Sequence, residues 1–310
     1  MSPGYAAGIP TQGTWSTTLL PRDLDGNLTT AEAYYDTVLN TTWLRDANFA
    51  FTSQFGLTLS ASEFDDTPGT VGSTGRMTWF NAIAWIAGMN AANFGGVNQW
   101  RLPITKPIDF STSDDANYSY NGIEDRGYNV GAPGTGYAGN STASEMSHMS
   151  HYTLGNLGYC DPVASSLTYC SPLQTGWGIT NTGPFDNIKT SDYWSATDYT
   201  PVDGSAWLFN FRFGDQDGVN KLVNRYAWAV HPGDVGTPTA HYVGDGDVAP
   251  LNAPDGVVNV ADLLVAARIT MNLVEAGALQ LAHGDVYPPD NPDGVINLQD
   301  LILIQRIALQ

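Results

Sequence analysis

The carboxyl-terminal stretch of this chain carries one pattern twice, 38 residues apart. Asp247, Asp255, Gly256, Asn259 and Asp262 recur in register as Asp285, Asp293, Gly294, Asn297 and Asp300, and Arg268 recurs as Arg306. A duplication in register requires both copies to fold alike. The residue types say how. Carboxylates and amides at alternate early positions, a glycine at a sharp turn, a backbone carbonyl and a closing acid are the parts of an EF-hand-type calcium loop. A hard cation takes six to eight oxygens, and one such loop supplies most of them.

Reading back from the closing acid assigns the ligands. In the second copy Asp300 closes the loop, with Asn297 before it and then the Val295 carbonyl, Asp293, Asn291 or Asp290, and Asp285. In the first copy the same places fall to Asp262, Asn259, the Val257 carbonyl, Asp255, Asn252 and Asp247. The competing reading is that Asp-Asn-Gly strings are solvated turns. Each closing Asp also opens an apolar run with helical spacing: Leu263, Leu264, Ala267 and Met271 in one copy, Leu301, Ile304 and Ile307 in the other. A loop followed by one helix, twice, resembles the type I dockerin module over residues 244–310. That resemblance implies a small all-α domain, two bound calcium ions and a protein partner. The chain departs from the dockerin pattern in two ways. Opening and closing acids stand 15 residues apart, about four more than a twelve-position loop allows. The slots before the closing acid, polar in dockerins, hold Val260-Ala261 and Leu298-Gln299. A cellulosome-type partner is therefore not implied, and a second copy of the same chain is open as the partner.

Composition narrows the classes of function. Acids outnumber bases 31 to 12, for a net charge of −19, and lysine occurs only three times. Residues 244–310 alone hold nine acids against Arg268 and Arg306. Nothing basic is clustered, so nucleic acid and anionic lipid are excluded as partners. No apolar run reaches the length of a membrane span. The abundance of Gly, Ser, Thr, Asn and aromatics suits a secreted, loop-rich protein at the cell surface. No signal peptide follows Met1, so this reading takes the leader as removed. Cys160 and Cys170 are the only cysteines and read as a local disulfide, two unrelated thiols being the alternative. His148 and His151 stand three apart without an acid or cysteine at a metal-ligand spacing. Asn27, Asn40, Asn117 and Asn140 lie in glycosylation sequons.

All nine tryptophans lie within residues 15–235, which predicts one substantial domain there. It follows a mobile tail over 1–14 and precedes a linker over 236–243, either a free tether or a docked strap. Tyr34–Leu44 reads as a hairpin bending at Asn40. Thr78–Asn90 reads as a helix capped by Thr78, with Ala82, Ile83, Ile86 and Met89 on its inner face. Trp207, Phe209, Phe211 and Phe213 alternate with Leu208, Asn210 and Arg212, which predicts a half-buried strand. A turn at Asp215–Gly218 and a return strand over Val219–Val230 would follow. Together these describe an α+β fold. Asp23-Leu24-Asp25-Gly26-Asn27 is similar to the first half of a calcium loop, but Tyr34 stands at the twelfth place and a turn is the stronger reading.

Six local signatures occur in order: Trp43-Leu-Arg-Asp-Ala-Asn48, Arg76-Met-Thr-Trp79, Gln99-Trp-Arg-Leu-Pro103, Tyr193-Trp-Ser-Ala-Thr197, Ala206-Trp207 and Tyr226-Ala-Trp-Ala-Val-His-Pro232. Together they resemble the Lcl C-terminal-domain family. The resemblance implies a C-type-lectin-like domain with a long loop region over about 104–190. The sugar-holding triplets of calcium-dependent lectins are absent. Binding of sulfated polysaccharide, known in the family, is not carried over to a chain of this negative charge. Trp100, Trp194 and Trp207 read as core, whereas Tyr118, Tyr120, Tyr128 and Tyr137 are candidates for a ligand surface.

Three functions remain. The first is a non-enzymatic, calcium-binding structural or adhesive protein that docks to a partner and could assemble with itself. The second is a carbohydrate-binding module. The third is a part of a polysaccharide-degrading system, for which no nucleophile motif or phosphate loop is visible.

Overall fold

The computed structural model describes residues 13–27, 30–108, 117–133, 135, 141–238, 245–251, 255–287 and 295–309. The N-terminal tail and the loop positions Asn252, Asp290, Asn291 and Asp293 lie outside the described residues, as do Tyr137 and Asn140. The fold mixes helices and sheets. The chain divides into two compact units, Met1–Leu20 with Ala33–Val235, and Pro21–Glu32 with Gly236–Gln310.

In chain order the strands are β1 (Leu19–Asp23), β2 (Ala33–Asp36), β3 (Thr41–Leu44), β4 (Thr58–Leu59), β5 (Thr70–Val71), β6 (Tyr118–Ser119), β7 (Arg126–Tyr128), β8 (Asp192–Asp198), β9 (Ser205–Asn210), β10 (Asp215–Asn220), β11 (Val230–Pro232) and β12 (Thr237–Pro238). The helices are α1 (Trp15–Thr18), α2 (Trp79–Ala91), α3 (Glu145–His148), α4 (Val260–Thr270), α5 (Ala278–Gly284) and α6 (Leu298–Ala308). Strand β1 carries the chain from the first unit into the second.

In the first unit β2 and β3 form the expected hairpin, with Tyr34 opposite Trp43 and Asn40 at a positive φ of 52°. Strand β11 adds to β3 antiparallel, with Val230 opposite Trp43. A second sheet runs in the order β6-β7-β10-β9-β8. Between them lies an aromatic core in which Trp43, Trp85, Trp194, Trp207 and Trp228 are all fully buried. Trp43 and Trp228 meet edge to face at 4.8 Å. Their neighbours take up indole N–H groups through main-chain carbonyls: Trp228 donates to Leu44 at 2.7 Å and Trp194 to Met77 at 3.0 Å.

Helix α2 starts where expected. The Thr78 hydroxyl accepts from the Asn81 amide, which caps it. Its inner face differs from the expected one. Ala82, Ile86 and Met89 are buried, but so are Asn81 and Trp85, while Ile83 is 37% exposed. Asn81 turns inward because its amide serves the loop beside it, accepting from Gly69 N and donating to Thr67 O.

The late strands differ more. Strand β9 is buried on both faces, Leu208 as fully as Trp207 and Phe209, because sheet and loops cover it on either side. The turn comes at Phe211–Gly214, earlier than expected, and Asp215–Gly218 already belongs to the return strand β10. Asn210 fixes that turn by accepting from the amides of Arg212 and Phe213. Gly214 closes it at a φ of 67°, where an added Cβ would stand 2.6 Å from the His151 ring. Val230 starts a separate strand.

Among the described residues of 104–190, loops predominate, with short strands and helices between them. Cys160 and Cys170 are joined in a disulfide that pins one of them. Glu145, the first residue of α3 and 5% exposed, holds another. Its carboxylate accepts both guanidinium nitrogens of Arg101 at 2.7 Å and the Ile104 amide at 2.7 Å, and the Thr41 hydroxyl donates to it as well. This bidentate pair gives the Gln99–Pro103 signature a structural task.

In the second unit, Arg22 and Asp23 of β1 pair antiparallel with Pro238 and Thr237 of β12. Residues 237–238 of the linker are thus a strand. Helices α4 and α6 pack together over a core of Val248, Ala266, Ile269, Val286, Ile296 and Ile304. The face of α4 turned inward is Ala266 and Ile269. Leu264 and Met271, expected inside, are 60% and 59% exposed, and Ile307 of α6 is 37% exposed. Asn259 and Asn297 are the N-caps, so each helix starts two residues before its closing acid. Helix α5, before the second loop, has no counterpart in the sequence reading.

Candidate functional site

The closing acids of the two repeats are held alike. Asp262 and Asp300 stand at the third position of α4 and α6, fully buried. One oxygen of Asp262 accepts the amides of Val248 and Ala249 at 2.8 Å, and the other accepts the Asn259 amide at 2.8 Å. Asp300 does the same with Val286, Tyr287 and Asn297, again at 2.8 Å. Asn259 and Asn297 cap the helices by accepting from Ala261 N and Gln299 N at 2.8 and 2.7 Å. Each closing acid is therefore a clasp. It ties the start of its loop to the start of its helix, and it sits where a negative charge favours a helix N-terminus.

The other described ligand positions differ in burial. Asp247 is 2% exposed; its Oδ2 accepts the Gly256 amide at 2.5 Å, and its Oδ1 meets no donor. Burial raises its pKa, with Asp262 and Asp245 adding to the rise against the Gly256 N–H. Asp255 accepts from Val257 N at 3.0 Å, and the Val257 carbonyl accepts from the Asn259 side chain at 3.0 Å. Asp285 is buried and Val295 exposed. The donor set is all oxygen, which fits a hard cation. An ionised carboxylate offers about four lone-pair sites, so three amides do not exhaust Asp262 or Asp300.

Two groupings were not foreseen. His283 Nδ1 lies 2.8 Å from Asp245 Oδ1, which also accepts the Asp247 amide at 3.0 Å. Atoms of Asp245, Asp247 and His283 all lie within 4.8 Å of one another. The signal was available: 245 and 283 are the same position in the two repeats, 38 apart. The second grouping is Asp23, Asp25 and Glu32. Asp23 accepts from the amides of Asp25 and Gly26, and Glu32 accepts from Leu24 N at 3.0 Å. That is a turn held by side chains, and Glu32 was missed because it lies beyond the acidic string.

In the first unit Tyr118, Tyr120 and Tyr128 come together as half-buried rings. Tyr120 and Tyr128 stack at 5.5 Å, and Tyr118 meets both edge to face. The run continues through Tyr159 to Trp177 and Phe213. Arg126 lies over Tyr118 and pairs with Asp217. Burial, with Asp192 and Asp217 near by, raises the Asp215 pKa to about 7. His148 and His151 are core residues whose ring nitrogens face the carbonyls of Ser141, Asn156 and Gly214; burial lowers His148 to about 4. Trp100, Trp194 and Trp207 are buried.

The first unit is thus an α+β domain knit by buried tryptophans, and the second is a small, mainly helical unit that carries the duplicated acidic sequence. The family model for the Lcl C-terminal domain matches residues 32–231, and the chain belongs to that family. Comparison with curated proteins and with solved structures gives no match. Among the described residues no helix is long and apolar enough to cross a membrane.

The clasp geometry predicts that Asp300→Ala, which orphans three amides, destabilises the second unit by about 3 kcal/mol or more. Asp300→Asn, which keeps one acceptor oxygen, should cost about half as much. Amide exchange across Leu298–Ala308 reads both; equal exchange in Asp300→Ala and wild type would remove the clasp.

Proposed function

We propose that this chain is a secreted, non-enzymatic structural or adhesive protein. Its second unit is a divergent dockerin-like module that takes one calcium ion in each duplicated loop and then docks to a protein partner. The observation that carries the reading is that Asp262 and Asp300 are clasped alike, in two repeats whose expected ligand positions all offer oxygen. Asp247, Asp255, Asp262, Asn259 and the Val257 carbonyl would hold the first ion, with Asn252. Asp285, Asp293, Asp300, Asn297 and the Val295 carbonyl would hold the second, with Asp290 or Asn291. The first unit is read as C-type-lectin-like.

The energetics support a cation. Among the described residues the core cluster of the second unit is six buried apolar side chains, and a core of that size usually needs a staple. Clustered carboxylates repel without a counter-ion, so the free energy of binding becomes free energy of folding. The partner that fits best is another copy of the chain, giving a head-to-tail assembly. The exposed Val260, Leu264 and Leu298 lie on α4 and α6 and offer an apolar surface for it.

Electron microscopy and size exclusion, with calcium and with chelator, test this. Higher-order assemblies should form with calcium only, and chelation should release amide protection across Val260–Thr270 and Leu298–Ala308. Tryptophan emission should hold steady, because the second unit contains no Trp. Monomers in both conditions would end the self-assembly reading.

A second reading is favoured by the aromatic run. Stacked, half-buried rings at Tyr118, Tyr120 and Tyr128 can pack against the flat faces of sugars, and the chain's charge selects neutral ones. A neutral-glycan array should show binding that Tyr120→Ala abolishes. An array without hits would discard this reading.

A further inference from the structure

The duplication brings two equivalent positions face to face, and they differ in chemistry. Where the first repeat has Asp245-Gly246-Asp247, the second has His283-Gly284-Asp285. His283 Nδ1 meets Asp245 Oδ1 at 2.8 Å, and the Gly246 amide donates to the His283 carbonyl at 2.7 Å. With a carboxylate atom of Asp247, His283 and Asp245 make a three-residue cluster, all atoms within 4.8 Å.

An Asp–His pair alone would explain the 2.8 Å contact. That pair makes no use of the neighbouring Asp247. That side chain is 2% exposed, its Oδ2 is committed to the Gly256 amide, and its Oδ1 has no donor. A buried carboxylate oxygen without a donor costs free energy unless something positive meets it. Besides the ligands of its own loop, Asp245 and His283 are placed to share a cation with it. We propose that Asp245, Asp247 and His283 form a third metal site, distinct in kind from the calcium loops, that takes a borderline divalent ion of the zinc class.

The ligand types decide the class. Calcium takes oxygen donors, whereas imidazole suits zinc and its neighbours. Two carboxylates and one imidazole leave a fourth place for water. Asp245, 40% exposed, provides the opening to solvent, while His283 at 17% is largely shielded. In a tetrahedral zinc shell, ligand atoms stand about 3.4 Å apart. Side-chain rotation closes the cluster to that spacing, with the metal replacing the proton on Nδ1. Asp247 would then serve two ions, one in its loop and one at this cluster. The site does not require the loops to bind calcium.

Calorimetric titration of the full chain with zinc chloride, in excess calcium, tests the proposal. Wild type should take up one zinc ion per chain that calcium does not displace. His283→Gln and Asp245→Asn should each weaken that uptake at least tenfold. Cobalt(II) should give a ligand-field spectrum in wild type that His283→Gln loses. Amide protection in Leu298–Ala308 should match wild type in His283→Gln, which separates lost ligation from lost folding. Should that variant not fold, Asp245→Asn, nearly isosteric, carries the same expectation. No zinc uptake by wild type, or equal uptake by the folded variants, overturns the site. Loss of calcium binding alone leaves these expectations standing, so the two readings fail separately.

Discussion

A backbone N–H that passes through a protein interior without a strand or helix neighbour needs another acceptor. In this chain the acceptor is repeatedly a buried carboxylate. Asp262 and Asp300 take three amides each at the loop–helix junctions of the second unit. Glu145 takes the Ile104 amide together with the Arg101 guanidinium in the first. Asp36 accepts from Val38 and Leu39, and Asp125 from Ile108. Long irregular segments become affordable only because these side chains replace the ladder bonds a sheet would supply.

This bears on what the negative charge means. Read from composition, an excess of 19 negative charges points outward, to cations and to repelled polyanions. Part of it points inward. Asp36 is pushed up to about 6 by burial and Asp215 to about 7, so each holds a proton more readily than a surface acid would. The closing aspartates show both uses at once, since the residue expected to close a cation shell also clasps its own loop.

Legibility followed the range of the interactions. The hairpin at Asn40, the cap at Thr78 and the Cys160–Cys170 bridge are local, and the sequence reads them. The duplicated loops are legible because a repeat doubles the signal. The turn at Phe211–Gly214 was masked by aromatic alternation that runs on through Phe213, although Asn210 and Gly214 form it. On α4 and α6 the apolar spacing placed Ile304, Leu301 and Leu263 at the core but also Leu264 and Met271, which face solvent because Ala266 and Ile269 make the contact instead. The Pro21–Glu32 excursion and the Asp245–His283 contact depend on residues far apart in the chain, and only the 38-residue register hinted at the second.

The second unit has a small core, two carboxylate clasps and a surplus of acids around them. On this view the clasps shape each loop and a hard cation completes it. Calorimetric titration of the full chain with calcium tests that most directly. Two ions bound per chain, with Asp247→Asn and Asp285→Asn each removing one, is the expected result. No heat of binding at millimolar calcium would contradict it.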